Sequence, residues 1–357
     1  MTQNRIISVP QMFCMLLISR VAVSMTFGPA VMRGVNFWDC IISCLGAYLV
    51  TFLLIIPVMW LCKTNGQEII TSSCGALGKI FSLIYAVYFA FVCAHTLALF
   101  KVFIENVMNP PISFMLLSLI LVALTCYGAA KGIEGIARAS SVIMFFIVFS
   151  LIILGFSLYK TTDPTNFGPF FYDGPHSALE GIIFFISRSS CIPAMAWLIP
   201  RTNGNVKRGI FVWNTSFYAL MAASIMIVVG ALGDFAQTQL FPAYSAASIA
   251  KMGSLENLDA LYLGLWTASI FMKLAMFLNL SAECIRDVFG QKNIKISILI
   301  MGIILVATNA TVKLSKLSSG IFSTNLLLLF TAITSIILPF LMILSKKIRK
   351  KNTLAKS

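Results

Sequence analysis

Three cationic side chains lie inside apolar stretches that are long enough to cross a lipid bilayer: Arg20, Arg188 and Lys273. A charged residue at the centre of a membrane helix costs roughly 2.5–3.5 kcal/mol on insertion scales, so such residues mark functional sites or structural ion pairs. As functional residues, the two arginines would bind a ligand carboxylate or act as gating charges. The lysine would act as a cation within a polar cavity. The alternatives are a structural ion pair, an arginine whose side chain snorkels to the membrane interface, and a lysine bonded to carbonyl groups.

One apolar stretch is interrupted by a polar run that ends in proline, Ser187-Arg188-Ser189-Ser190-Cys191-Ile192-Pro193. A break in a membrane helix frees backbone N–H and C=O groups, and the half-helix dipoles favour opposite charges at the exposed ends. The first apolar stretch also has a polar centre, Ser19-Arg20-Val21-Ala22-Val23-Ser24. The polarity of these runs suits a small polar, zwitterionic ligand.

Tyr88 and His95 are seven residues apart and therefore share one face of a predicted helix. A histidine can transfer protons near neutral pH, although an aromatic stripe of this kind is more often packing. We take Tyr88 as a candidate ligand contact and His95 as a candidate cation-site or gating residue, with the packing interpretation left open.

The sequence has no Walker A motif, no dinucleotide glycine fingerprint, no metal-ligand cluster and no nucleophile–base constellation. We therefore expect no enzyme activity, no cofactor and no metal site. The net charge of +14 comes from basic residues in short loops and in the tail. We interpret them as orientation signals and as contacts with anionic membrane lipid, and we expect no nucleic-acid partner.

The elements that must position these residues are membrane helices. Hydrophobic residues make up 59% of the chain and charged residues 11%, against about 25% charged residues in soluble domains. A bilayer core of about 30 Å needs roughly 20 helical residues. Ten spans are predicted, at residues 9–32, 38–62, 80–103, 112–129, 140–158, 179–200, 209–232, 258–282, 294–312 and 322–344. They predict a single all-α polytopic membrane domain covering residues 1–357.

The distribution of Lys and Arg predicts the orientation of the spans. If the amino terminus is cytoplasmic, 17 of the 26 basic residues fall in inside segments and six in outside segments. Because basic residues are enriched in cytoplasmic loops, we expect both termini to be cytoplasmic.

Several segments, taken in order, resemble one protein family. They are Ile7-Ser8-Val9-Pro10-Gln11, Pro29, Gly34-Val35-Asn36-Phe37-Trp38-Asp39, Gly132-Ile133-Glu134-Gly135-Ile136-Ala137-Arg138, Phe241-Pro242, Leu255-Glu256-Asn257-Leu258-Asp259-Ala260-Leu261, Trp266 and Lys273. The chain resembles the B-subunit permeases of bacterial spore germination receptors, the GerAB family, within the amino acid-polyamine-organocation (APC) transporter superfamily. Within these segments, Glu134 and Arg138 have the i,i+4 spacing of an ion pair on a helix.

The resemblance implies a LeuT-like 5+5 inverted repeat in which spans 1 and 6 are broken and bind an amino acid or similar ligand. Relatives have a glycine-rich break in span 1, whereas here no glycine occurs between Ser19 and Gly28. The residues at the ligand site would be Arg20, Ala22, Ser24, Tyr88, Ser187, Arg188 and Ser189. The resemblance also implies that Lys273 takes the place of a coupling cation.

The implied function is that of a germinant receptor subunit that binds a small germinant, such as an amino acid, and triggers spore germination. Its partners would be an A-type membrane subunit and a C-type lipoprotein, and its location the spore inner membrane. A proton- or cation-coupled amino acid transporter is the alternative, because the same fold serves both functions.

Overall fold

The protein is almost entirely helical in the computed structural model, which describes residues 6–24, 36–65, 76–108, 113–168, 174–252, 255–256, 258–290, 293–314 and 324–354. The first half contains strand β1 (Ile7–Ser8) and helices α1 (Val9–Ser24), α2 (Phe37–Asn65), α3 (Ala76–Val107), α4 (Phe114–Ala130) and α5 (Gly132–Leu158). A 3-10 turn, Pro164–Phe167, follows.

The second half begins with α6 (Gly174–Ser187), α7 (Ile192–Leu198), a 3-10 turn (Ile199–Arg201), β2 (Thr202–Asn203) and α8 (Val206–Leu232). Two short helices, α9 (Phe235–Thr238) and α10 (Pro242–Ile249), and strands β3 (Lys251–Met252) and β4 (Leu255–Glu256) precede α11 (Asp259–Phe289). The chain continues as α12 (Ile294–Leu314), α13 (Thr324–Ala332), a π-helical turn (Ile333–Ile337) and α14 (Leu338–Leu354).

Length and composition identify the membrane helices. Among the described residues, seven helical segments are long and apolar enough to cross a membrane, and three shorter apolar helices occur at Val9–Ala22, Met115–Ala130 and Ile294–Thr308. Together they correspond to the ten predicted spans, so the all-α membrane fold is confirmed.

Helix α11 is at the centre of the bundle. It packs against α1, α3, α4, α5 and α12, and every residue from Met272 to Cys284 is buried. A helix that is buried on all sides must be surrounded by other helices, and this one therefore brings polar groups such as Lys273 into the interior.

Span 6 is broken, as the sequence predicts. Helix α6 ends at Ser187, a short turn follows, and α7 begins at Ile192 with Pro193 in its first turn. Proline is tolerated there because the first N–H groups of a helix have no intrahelical acceptor. In span 1, the polar run is helical as far as Ser24, and the residues that follow, including Gly28 and Pro29, lie outside the described part.

Two short strands tie the beginning of α1 to the segment after span 6. Strand β1 pairs in parallel with β2, with Ile7 opposite Thr202 and Ser8 opposite Asn203. Gly209 at the start of α8 is needed for this approach, because a Cβ atom at that position would collide with Val9.

Candidate functional site

The turn that breaks span 6 is held by a tyrosine from α3. The Tyr88 hydroxyl donates a hydrogen bond to the Ser190 carbonyl at 3.0 Å and lies 3.1 Å from Thr331 Oγ1. Tyr88 therefore joins three elements: α3, the turn between α6 and α7, and α13. These contacts place a predicted ligand residue directly on the broken helix.

Lys273 meets the same turn from α11. Its Nζ atom donates to Ser190 Oγ at 3.5 Å and lies 5.8 Å from the centre of the Phe277 ring. The side chain is 2% exposed, so the ammonium faces the protein interior. The break that it contacts is the one in span 6.

Arg188 lies in the turn itself and is 7% exposed. Its Nη1 atom donates to Ser187 Oγ at 3.2 Å and to the Phe184 carbonyl at 3.5 Å, and the guanidinium carbon lies 3.5 Å from the centre of the Phe184 ring. Ser189, the next residue, donates from Oγ to the Phe185 carbonyl at 3.1 Å. The predicted residues Ser187, Arg188 and Ser189 thus lie together at the end of α6.

Arg20 has its closest partners in a different part of the bundle. Its Nη2 atom donates to the Tyr218 hydroxyl at 2.6 Å and to Thr51 Oγ1 at 3.2 Å, and Nη1 donates to Asn214 Oδ1 at 3.3 Å. The guanidinium carbon is 3.9 Å from the centre of the Phe217 ring. This fully buried arginine therefore joins α1 to α2 and α8 through neutral and aromatic partners.

Two further predicted residues lie near the end of the described part of α1. The Ala22 carbonyl accepts a hydrogen bond from Trp266 Nε1 at 3.1 Å. The buried Ser24 hydroxyl has no hydrogen-bond partner among the described residues. Ala22 and Trp266 also line a cavity of about 60 Å³ whose walls are mostly apolar, which does not suit a charged ligand.

His95 is buried in α3, with its ring centre 6.4 Å from that of Phe91. It lies on the same face as Tyr88 but two helical turns further along, or about 10 Å. His95 therefore lies about two helical turns from the point where Tyr88 contacts Ser190. Its role as a cation-site or gating residue stays a prediction.

Sequence reasoning missed the hydroxyl groups of the last span. Thr331 contacts Tyr88, and the Thr334 carbonyl accepts a hydrogen bond from the Tyr85 hydroxyl at 3.0 Å. Thr334 lies in the π-helical turn Ile333–Ile337. Turns of this type are often found at functional sites. The signal was present as hydroxyls spaced three and four apart, Thr331, Thr334 and Ser335, in an apolar stretch.

A second missed feature is an ion pair between distant parts of the chain. Arg201 Nη1 lies 2.7 Å from Glu283 Oε1 and Arg201 Nη2 lies 2.7 Å from Glu283 Oε2, and the two side chains are 7% and 10% exposed. The pair joins the turn after α7 to the end of α11. From the sequence, Arg201 falls between the predicted spans at 179–200 and 209–232, which indicates a loop position and no ion-pair partner.

Within the part of the chain that the structure describes, no group of three or more His, Cys, Asp or Glu residues is arranged to hold a metal ion. The polar groups at the turn are hydroxyls, carbonyls and two cations. Chemically, such a site can bind and orient a small polar molecule.

The broken span 6, the central α11 and the ten apolar helical segments found among the described residues define a membrane protein of the transporter type with a LeuT-like fold. The fold is similar to that of a Na⁺-coupled sialic acid symporter in a substrate-bound outward-open state, with 12% identity, a TM-score of 0.61, and 97% of this chain and 90% of that chain covered. The chain belongs to the spore permease family of spore germination proteins, whose sequence profile matches residues 6–317. It is 24% identical over 333 residues to spore germination protein KB of Bacillus subtilis (strain 168), with 87% of each chain covered.

Proposed function

We propose that this chain is the transporter-like subunit of a spore germinant receptor and that it binds a small polar germinant at the break in span 6. The observation that carries the proposal is that Tyr88 and Lys273 both contact Ser190, in the same turn that contains Arg188. A ligand at this turn would contact α3, α6 and α11 at once. Its binding would therefore change how these helices pack, which is the signal that a receptor must transmit.

Family membership supports a role in germination. We propose that the partners are an A-type membrane subunit and a C-type lipoprotein, and that the complex is located in the spore inner membrane. Amino acids are the first germinants to test, because the site offers cations for a carboxylate and hydroxyl and carbonyl oxygens for an ammonium.

Germination of spores that lack this gene, compared with complemented spores, tests the proposal. A panel of single amino acids should show at least one that triggers germination only in the complemented strain. Complementation with Tyr88→Phe should shift the dose-response to higher concentration, whereas Tyr127→Phe, on an exposed side chain, should leave it unchanged. Identical responses of the deleted and complemented strains to every amino acid would refute the receptor role.

Transport coupled to a proton or cation is the second candidate function. The observation that favours it is the fold shared with a Na⁺-coupled symporter, and Lys273 would then occupy the place of a coupling cation. Uptake of labelled amino acids into vesicles containing the purified protein, with and without Na⁺ or proton gradients, tests this function. Uptake that depends on a gradient and on Lys273 would support transport.

We also propose that both termini are cytoplasmic. Fusion of a reporter that is active only outside the membrane, placed after Ser357, should give no signal. The same reporter inserted between α5 and α6, in the loop at Asp163, should be active. A strong signal from the terminal fusion would refute this orientation.

A further inference from the structure

The turn between α6 and α7 carries buried positive charge that the described residues around it do not neutralise. Arg188 is 7% exposed and Lys273 is 2% exposed, and both lie at one turn, because Arg188 is part of it and Lys273 Nζ contacts Ser190 Oγ in it. In the part of the chain that the structure describes, neither lies within ion-pair distance of a carboxylate. Like charges in a low-dielectric interior repel each other, so this arrangement favours a bound anion.

The hydrogen bonds that these cations make to described residues are few, and all their acceptors are neutral. Arg188 donates from Nη1 to Ser187 Oγ and to the Phe184 carbonyl, while its buried Nε has no hydrogen-bond partner among the described residues. Lys273 Nζ contacts Ser190 Oγ at 3.5 Å. A guanidinium has five N–H donors and an ammonium three, so these contacts use only part of their donor capacity.

The buried acids of the described residues lie elsewhere. They are Asp39 and Glu283. Glu283 pairs with Arg201 at 2.7 Å. The Asp39 carboxylate lies 3.5 Å from Ser177 Oγ, near the start of α6. Ser177 precedes Arg188 by eleven residues, which is roughly 16 Å along the helix. Neither carboxylate therefore neutralises the charge at the turn.

We propose that the ligand of this site is a small carboxylate with a net negative charge, and that its carboxylate bridges Arg188 and Lys273. This inference rests on the proposed function, because it names the chemical class of the ligand at the same site. Buried cations are stabilised when an opposite charge and hydrogen bonds satisfy them, and a guanidinium can bind a carboxylate through two parallel hydrogen bonds. A zwitterion adds no net charge, whereas an acidic amino acid or a dicarboxylate neutralises the pair.

The test compares ligands of matched size and different charge. The probes are aspartate against asparagine and glutamate against glutamine, with succinate as a carboxylate that lacks an amine and sulfate as an inorganic oxyanion. Binding is measured with the full chain in lipid nanodiscs, from the thermal stabilisation at increasing ligand concentration. At least one acid should bind about tenfold or more tightly than its amide, the effect of one charge-assisted hydrogen bond.

Variants localise the preference. Arg188→Gln should remove the difference between acid and amide, and Arg188→Lys, which keeps the charge, should retain it. Arg138→Gln is the matched control, since Arg138 is exposed and pairs with Glu134, and it should bind acids as the unchanged protein does. If Arg188→Gln fails to fold, the comparison of acid and amide in the unchanged protein remains decisive.

The outcomes separate this inference from the proposed function. Amides that bind as tightly as their acids, or more tightly, would overturn the anionic class while leaving the receptor role intact. Stabilisation by sulfate equal to that by the best acid would overturn the assignment to a carboxylate. Binding of no probe of either class, together with germination that is independent of the gene, would overturn both.

Discussion

The buried ion pair between Arg201 and Glu283 should contribute far more to stability than an exposed pair of similar length. Each contact between the two groups is 2.7 Å, and the side chains are only 7% and 10% exposed. Removing one partner leaves the other charge buried and uncompensated, which costs about 3–5 kcal/mol. We therefore expect Glu283→Gln or Arg201→Gln alone to lower the free energy of unfolding by about that amount.

Replacing both charges should cost less than replacing either one. In the double variant Arg201→Met with Glu283→Leu, no unpaired charge remains, and buried ion pairs replaced by apolar groups are often neutral in stability. The two substitutions should therefore be strongly non-additive. In a double-mutant cycle built from Arg201→Met, Glu283→Leu and the double variant, the double variant should therefore cost less than either single variant.

The chain contains its own control in the pair Glu134–Arg138. Its contact is 2.5 Å, but the arginine and glutamate side chains are 70% and 44% exposed. An exposed i,i+4 pair contributes about 0.3–0.5 kcal/mol, so Arg138→Gln should have little effect. The assay is unfolding by SDS in mixed micelles, followed by helical circular dichroism. If Arg201→Gln costs no more than Arg138→Gln, the argument from burial is wrong.

Three further predictions concern the site and one loop. Lys273→Met should leave the amount of protein in the membrane within about twofold, because an apolar side chain replaces a costly buried charge. The same variant should shift the germinant dose-response, and unchanged abundance with unchanged sensitivity would reduce the lysine to a packing role. Tyr88→Phe should lose the hydrogen bond to the Ser190 carbonyl. It should lower the free energy of unfolding by about 1–3 kcal/mol, because that buried carbonyl loses its donor. In the loop after α5, hydrogen bonds from Thr165 hold the pKa of Asp163 below its usual value. These hydrogen bonds therefore stabilise the turn fully above the usual carboxyl pKa, and the stabilisation is lost as the pH falls through the lowered pKa of Asp163. Thr165→Val removes the side-chain hydrogen bond and should raise the pKa of Asp163 measured by NMR.

The sequence determined the membrane class, the helical fold and the break in span 6. Apolar stretches of sufficient length can satisfy their backbone in a bilayer only as helices, so composition and length decide the secondary structure. The break was predictable because a polar run followed by Pro193 is a local signal. The pair Glu134–Arg138 was predictable for the same reason, since residues four apart on a helix always face the same side.

Only the tertiary structure decided which helices the buried polar groups would contact. Arg20 is a predicted ligand-site residue, and its role there stays a prediction; the structure shows that its partners are Thr51 on α2 and Tyr218 on α8. Lys273 meets Ser190, and Arg201 meets Glu283, over sequence separations of 83 and 82 residues. Such contacts depend on how each helix is rotated about its axis and on which helix is its neighbour. These are set by packing over the whole bundle, whereas hydrophobic periodicity within one span is weak when apolar residues cover every face.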